Sequence, residues 1–193
     1  PTPIPEEHFR ETWVVDQTIE QIEQSVSDEV PFFAFCSMKA PHPPETPPGD
    51  WMSCYEGVSL PELNYTPGEE QTQPAHTKRL LGIEKTNTCL DGEDPKDVAY
   101  WREAIGRIYD PEHHETIQEV RRLYYAYAAY CDAQIGRLID YLDKKGIRNN
   151  TLVIFTSDHG QQYFDHGFND KHNWYDESWR IPLVMSMTGT LPS

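Results

Sequence analysis

From His8 to Ser27 the apolar residues Phe9, Trp13, Ile19, Ile22 and Val26 recur at mostly helical spacing, with acids and glutamines between them. This predicts an amphipathic helix that Pro31 stops. Phe32 to Ser37, F-F-A-F-C-S, is a short continuous apolar run and reads as a strand. Between about Glu45 and Pro111 the periodicity vanishes, and proline, glycine, threonine and acids dominate. A span this long without regular structure is usually functional or mobile, and a substrate-facing wall is the expectation. From Glu112 to Lys145 the pattern is helical again: Ile117, Val120, Tyr124, Tyr127, Cys131, Ile135, Leu138 and Leu142 keep three-and-four spacing, and Gly146 supplies the stop. Thr151 to Ser157 is β-branched and apolar without alternation, which predicts a strand buried on both faces. Tyr175 to Ser178 reads as a short helical turn, and Ile181 to Met185 as a third strand. Helices alternating with buried strands make an α/β chain, with a partly parallel sheet and helices on both faces.

Composition narrows the partners. The 193 residues suit one domain, and a net charge of −16 argues against nucleic acid or an anionic membrane surface. No apolar run approaches the roughly 20 residues a membrane span needs. The cysteines at 36, 54, 89 and 131 show no C-x-x-C and no zinc-ligand spacing. Cys36 and Cys131 read as buried thiols, and two disulfides are also compatible with the count. Pro1 to Pro5 reads as an internal cut, so the chain is expected to be a piece of something longer.

Chemistry concentrates where the predicted strands end. Asp158, His159 and Gly160 follow the strand at Thr151, at the edge where open α/β sheets bind ligands. An acid beside an imidazole there is half of a metal site, or else a turn cap. A second pair, His166-Gly167, and then Lys171 follow in the same loop. After the strand at Phe32 comes Lys39-Ala40-Pro41-His42-Pro43-Pro44, where prolines hold His42 in a stiff loop. Taken alone, His42 is equally a surface residue. Trp51, Tyr55 and Trp101 can stack on a sugar ring or pin their loop to the body. His76, His113 and His114 have no partner in the pattern, and Asp132 and Asp140 read as solvated or capping.

S-D-H-G, then H-G-x-x-x-K, then Y-D-E-S-x-R-I-P-L resembles the sulfatases of the alkaline-phosphatase-like superfamily over more than thirty consecutive positions. P-F-F-x-F-x-S running into K-A-P-H-P-P is similar to the sulfatase loop that brings a histidine to the ester. Y-Y-A-Y-A-A-Y-C-D-A-Q-I-G-R-L running into N-T-L-V-I-F-T-S-D-H-G extends the resemblance to roughly half the chain. It implies an alkaline-phosphatase-like fold, here incomplete, and hydrolysis of sulfate esters. Asp158 would ligate a divalent metal, with His159 a second ligand or a hydrogen-bond partner of the nucleophile. Lys171 would lie between a sulfate oxygen and the leaving oxygen, and His42 would contact and protonate that oxygen.

The family's nucleophile is a formylglycine made within C/S-x-P/A-x-R, and no cysteine here begins such a motif. The paired aspartates of the family's first strand and its G-K-W-H stretch are missing too. All lie upstream of the His42 loop in the family. Residues 1–193 are therefore expected to be the central-to-C-terminal part of a sulfatase catalytic domain, inactive alone, with the formylglycine upstream. The resemblance further implies calcium as the metal, with Mg²⁺, Mn²⁺ or Zn²⁺ as alternatives, and a sulfated carbohydrate or other small sulfate ester as substrate. It implies a periplasmic, secreted or lysosomal setting. A phosphonate or phosphate ester hydrolase of the same superfamily, or a non-catalytic sulfatase-like binding protein, are the alternatives.

Overall fold

Helix α1 spans Arg10–Ser27 and helix α2 spans His114–Lys144 in the computed structural model, which describes residues 4–75, 78, 114–169, 171 and 173–191. These residues fall into two units. The first comprises 1–59, 120–154 and 185–193, and the second 60–119 and 155–184.

In the first unit α1 buries Glu11, Thr12, Val15, Thr18 and Ile22, a stripe at helical spacing. Ile22 was expected there. Trp13 was expected as well, and it is 59 % exposed. Three polar residues hold buried positions, so apolar periodicity alone misjudges the face. Bonds to α2 and its C-terminal end advance together along both helices: Thr12 Oγ1 to Tyr130 Oη at 2.7 Å, Asp16 to Arg137, Glu23 to Tyr141 and to Lys145 just past the helix. The two helices therefore run side by side in one direction. Phe9 packs edge-on against Tyr130 and Tyr127, with centroids 5.5 and 6.2 Å away, and Cys131 completes the cluster. Each such ring gains about 1.5–3 kcal/mol from burial. Ala40 and Trp51 pack on the same cluster.

The helix ends differ in an instructive way. After α2, Gly146 takes φ 71°, and the Ile147 and Gly146 amides return to Leu142 and Asp143. That stop was expected. After α1 the same bond pattern forms around Glu29 at φ 56°, with Val30 N–H reaching Ser25 and Glu29 N–H reaching Val26. The chain has left the helix before Pro31, so proline is not what ends it.

The strands are shorter and barer than expected. Strand β1, Val153–Thr156, pairs with strand β2, Leu183–Ser186, in a two-stranded sheet. Phe32 to Ser37 forms no strand: a ladder needs a partner, and Phe33 stands 92 % exposed. Nor is β1 buried on both faces, since Ile154 is 50 % and Phe155 42 % exposed, while Leu183 of β2 is 66 % exposed. Burial of a sheet requires layers over its faces, and the described residues leave these strands open. Cys36, Cys54 and Cys131 are free, so two disulfides do not form, while Cys89 lies outside the described residues. Of the long aperiodic span, Gly49–Ser53 and Glu69–Thr72 form short 3-10 turns.

The second unit is held by polar bonds and a twisted backbone. Tyr163, Phe164, His166 and Gly167 all take positive φ, at 44°, 74°, 55° and 74°. Bulky residues adopt that region at a cost of about 1–3 kcal/mol each. Tyr163, Phe164 and Phe168 are buried, which offsets the cost. Asn173, 5 % exposed, donates to Gln162 Oε1 and accepts from Tyr175 N–H and the Ser178 hydroxyl. Helix α3, Asp176–Trp179, follows at the expected place.

Candidate metal centre and ester site

Beyond β1 the backbone turns through Ser157, whose hydroxyl donates to His159 O at 2.8 Å. Asp158 Oδ1 accepts the His159 N–H at 2.9 Å. His159 Nδ1 lies 2.8 Å from the Gly160 carbonyl. A carbonyl only accepts, so Nδ1 carries a proton, and in the neutral ring Nε2 is the nitrogen with the lone pair. That Nε2 is 3.7 Å from Asp158 Oδ2, and the Asp158 side chain is 86 % exposed. Burial pushes the Asp158 carboxyl up, but the His159 amide and imidazole outweigh it and hold the group below its ordinary value. It is therefore ionised at neutral pH.

The donor set fits a divalent cation. Carboxylate oxygen and imidazole nitrogen each ligate at about 2.0–2.6 Å, and the gap between them is shorter than two such bonds end to end. Among the described residues no third His, Cys, Asp or Glu joins the pair. Gly160 has its own reason. A Cβ there would sit 1.9 Å from Glu177 O, and Gly160 N–H donates to Ser178 O at 2.9 Å. Only glycine lets the turn approach α3 this closely.

The rest of the loop is organised by His166, which the sequence marks without a role. Its Nδ1 meets Glu69 Oε2 at 3.0 Å, its Nε2 faces Asn64 Nδ2 at 3.1 Å and Glu177 Oε2 at 3.4 Å, and its ring stacks on Tyr175 at 3.7 Å. Asn64 also binds Asp165 and Glu177. This clasp ties residues 64–69 to 165–177. Lys171, partly buried, stands inside the clasped segment. Glu177 is pushed up by burial, yet its own N–H, the Asn64 amide and His166 leave it below the ordinary carboxylate value.

His42 belongs to the first unit, whereas Asp158, His159 and Lys171 belong to the second. His42 is exposed, its N–H donates to Lys39 O at 3.1 Å, and its Nδ1 lies 2.8 Å from Pro43 O. The same carbonyl logic puts the proton on Nδ1 and frees Nε2 for exchange with solvent or ligand. The peptide bonds before Pro41 and Pro44 are cis.

Other candidates resolve differently. Trp51 stacks edge-on with Tyr130 and donates from Nε1 to Glu6, and Tyr55 lies against Tyr125, so both pin their loop. Asp132 and Asp140 are exposed on α2. His76, Trp101 and His113 lie outside the described residues. Glu11, Gln162 and Asn173 went unnoticed in the sequence. Each is a polar residue whose burial only tertiary structure reveals.

The sulfatase family model matches residues 11–193. Human iduronate 2-sulfatase is 27 % identical over 190 residues, covering 98 % of this chain and 32 % of that protein. The solved phosphonate monoester hydrolase from Silicibacter pomeroyi superposes with a TM-score of 0.74 at 24 % identity, covering 98 % of this chain and 35 % of that one. A structure of a protein with its substrate D-glucosamine-2-N,6-O-disulfate gives a TM-score of 0.64 at 21 % identity, over 93 % of this chain and 43 % of the other. The chain spans about a third of the length of the curated relatives it matches first. Its fold is the α/β fold of the alkaline-phosphatase-like enzymes. Among the described residues no helix is long and apolar enough to cross a membrane.

Proposed function

Because the chain belongs to the sulfatase family, we propose that it supplies the metal-binding and leaving-group sides of a sulfuric ester hydrolase acting on sulfated carbohydrate or aryl sulfate. The observation that carries the reading is the Asp158–His159 pair, an ionised carboxylate and an imidazole lone pair 3.7 Å apart. Asp158 holds the divalent metal, and His159 is its second ligand or bonds the nucleophile. Calcium suits the carboxylate, while Mg²⁺, Mn²⁺ and Zn²⁺ are the alternatives. When bound, such a cation stabilises charge developing on the sulfuryl oxygens.

Lys171 brings its ammonium to a sulfate oxygen and the leaving oxygen, a local cation set against an overall charge of −16. His42, with Nδ1–H held by Pro43 O, acts in its doubly protonated form and donates the Nε2 proton to the departing alcohol. The formylglycine nucleophile comes from outside residues 1–193, which are the central-to-C-terminal part of the catalytic domain. The setting is periplasmic, secreted or lysosomal.

Likeness to a phosphonate monoester hydrolase favours a second reading, in which the same groups serve a phosphonate ester. The test uses the natural full-length protein and its Asp158→Ala variant, with bound metal and aryl sulfate turnover measured together. Both should be lost. Full metal occupancy in the variant overturns the assignment. Faster turnover of phosphonate than sulfate esters selects the second reading, and metal bound without turnover of either indicates a binding protein.

A further inference from the structure

We infer that Glu11 is the positioning residue of the His42 turn, an inference that rests on the proposed role of His42. Glu11 sits in the first turn of α1, and its side chain is fully buried, at 0 % exposure. A buried carboxylate is costly unless paired and hydrogen-bonded. Its Oε1 is paired with the Arg10 guanidinium through Nη2 and through Nε at 3.0 Å, and also takes the backbone N–H of Ala40 at 3.2 Å. Its Oε2 is buried with no hydrogen-bond partner. An unsatisfied buried oxygen calls for an explanation. The position is thus poorly suited to stability alone, and an apolar residue of equal size would fill it at less cost.

Besides pairing with Arg10 next to it on the helix, the carboxylate accepts the Ala40 amide, which an apolar group cannot do. Ala40 packs on the Phe9, Tyr127, Tyr130 and Cys131 cluster, so one side of the turn is fastened to the helix pair. Two residues on, His42 N–H closes back onto Lys39 O at 3.1 Å. The turn from 39 to 42 is therefore gripped at Ala40 and presents His42 from its far end. Nothing touches substrate at Glu11; it acts through the backbone that carries the imidazole.

The experiment uses the natural full-length protein, with Glu11→Met to remove the acceptor at similar volume and Glu11→Gln to keep one. Two substrates separate the roles: an activated aryl sulfate, whose leaving group needs no acid, and an unactivated alkyl sulfate, whose leaving group does. Glu11→Met should cut kcat on the alkyl sulfate by about 10²-fold, the lower range for general acid catalysis, with KM unchanged. The aryl sulfate should be nearly unaffected. Glu11→Gln should restore most of the loss, and Glu11→Met combined with His42→Ala should be no slower than His42→Ala alone. Equal losses on both substrates, or additive losses in the double variant, overturn the inference. Amide exchange at Ala40 needs no turnover. Lost protection in Glu11→Met supports the grip, and unchanged protection overturns it. A wild-type protein inert on both sulfates refutes the functional reading instead, and Ala40 exchange still decides the grip.

Discussion

The two units hold their functional residues by different means. In the first, the His42 turn is fastened to a helix pair whose core is aromatic, with Phe9 against Tyr127 and Tyr130. In the second, Asp158, His159 and Lys171 stand on loops kept by the His166 clasp, the Asn173 bonds and a backbone at positive φ. Apolar packing is non-directional and tolerates volume-conserving change, whereas polar bonds and strained dihedrals are directional. The candidate metal pair lies in the second kind of structure, where position matters most.

Three substitutions test that contrast, beginning with the largest effect. Gly160→Ala puts a methyl 1.9 Å from the Glu177 carbonyl, so the backbone has to move. The expected cost is about 1–3 kcal/mol or more, read as a lower denaturation midpoint with weakened metal binding. The same exchange at Gly136, on α2 with nothing near its Cβ, should have the opposite sign. Gly136→Ala should raise stability by about 0.4–1 kcal/mol. Equal effects of the two changes would erase the distinction between the units.

The smallest effect concerns pH. Glu177 has a folded pKa below its ordinary 4.5. Its contribution is therefore complete above that value and is lost as pH falls through the lowered one. Urea midpoints measured from pH 6 down to 3 should fall in that window, and Glu177→Gln should flatten that part of the curve. A Glu177→Gln profile identical to wild type would remove the carboxylate from the clasp.

What could be read in the sequence varied from element to element within each unit. The α2 stop was legible because Gly146 is the usual residue for a left-handed cap. The α1 stop was not, because Glu29 rarely takes that conformation and Pro31 drew the boundary instead. The apolar run at Phe32 read as a strand, yet pairing depends on a neighbour that no local pattern supplies. The α1 face was misjudged at Trp13 since Glu11, Thr12 and Thr18 take buried places. Asp158, His159 and Lys171 were singled out by the family resemblance of one continuous run, and their roles are proposals. His166 stood in that run, but its partners Asn64 and Glu69 are about a hundred positions away, beyond any motif.

The central claim is that Lys171 supplies a cation to the sulfate ester that the protein is proposed to hydrolyse. The most direct test is steady-state hydrolysis of an activated aryl sulfate by the natural full-length protein and by its Lys171→Ala variant, with divalent metal present. Removing a cation from the developing charge should lower kcat by about 10²–10³-fold, as loss of an oxyanion-stabilising group does, and chelation should abolish the remainder. A Lys171→Ala protein that turns over aryl sulfate at the wild-type rate would contradict the account.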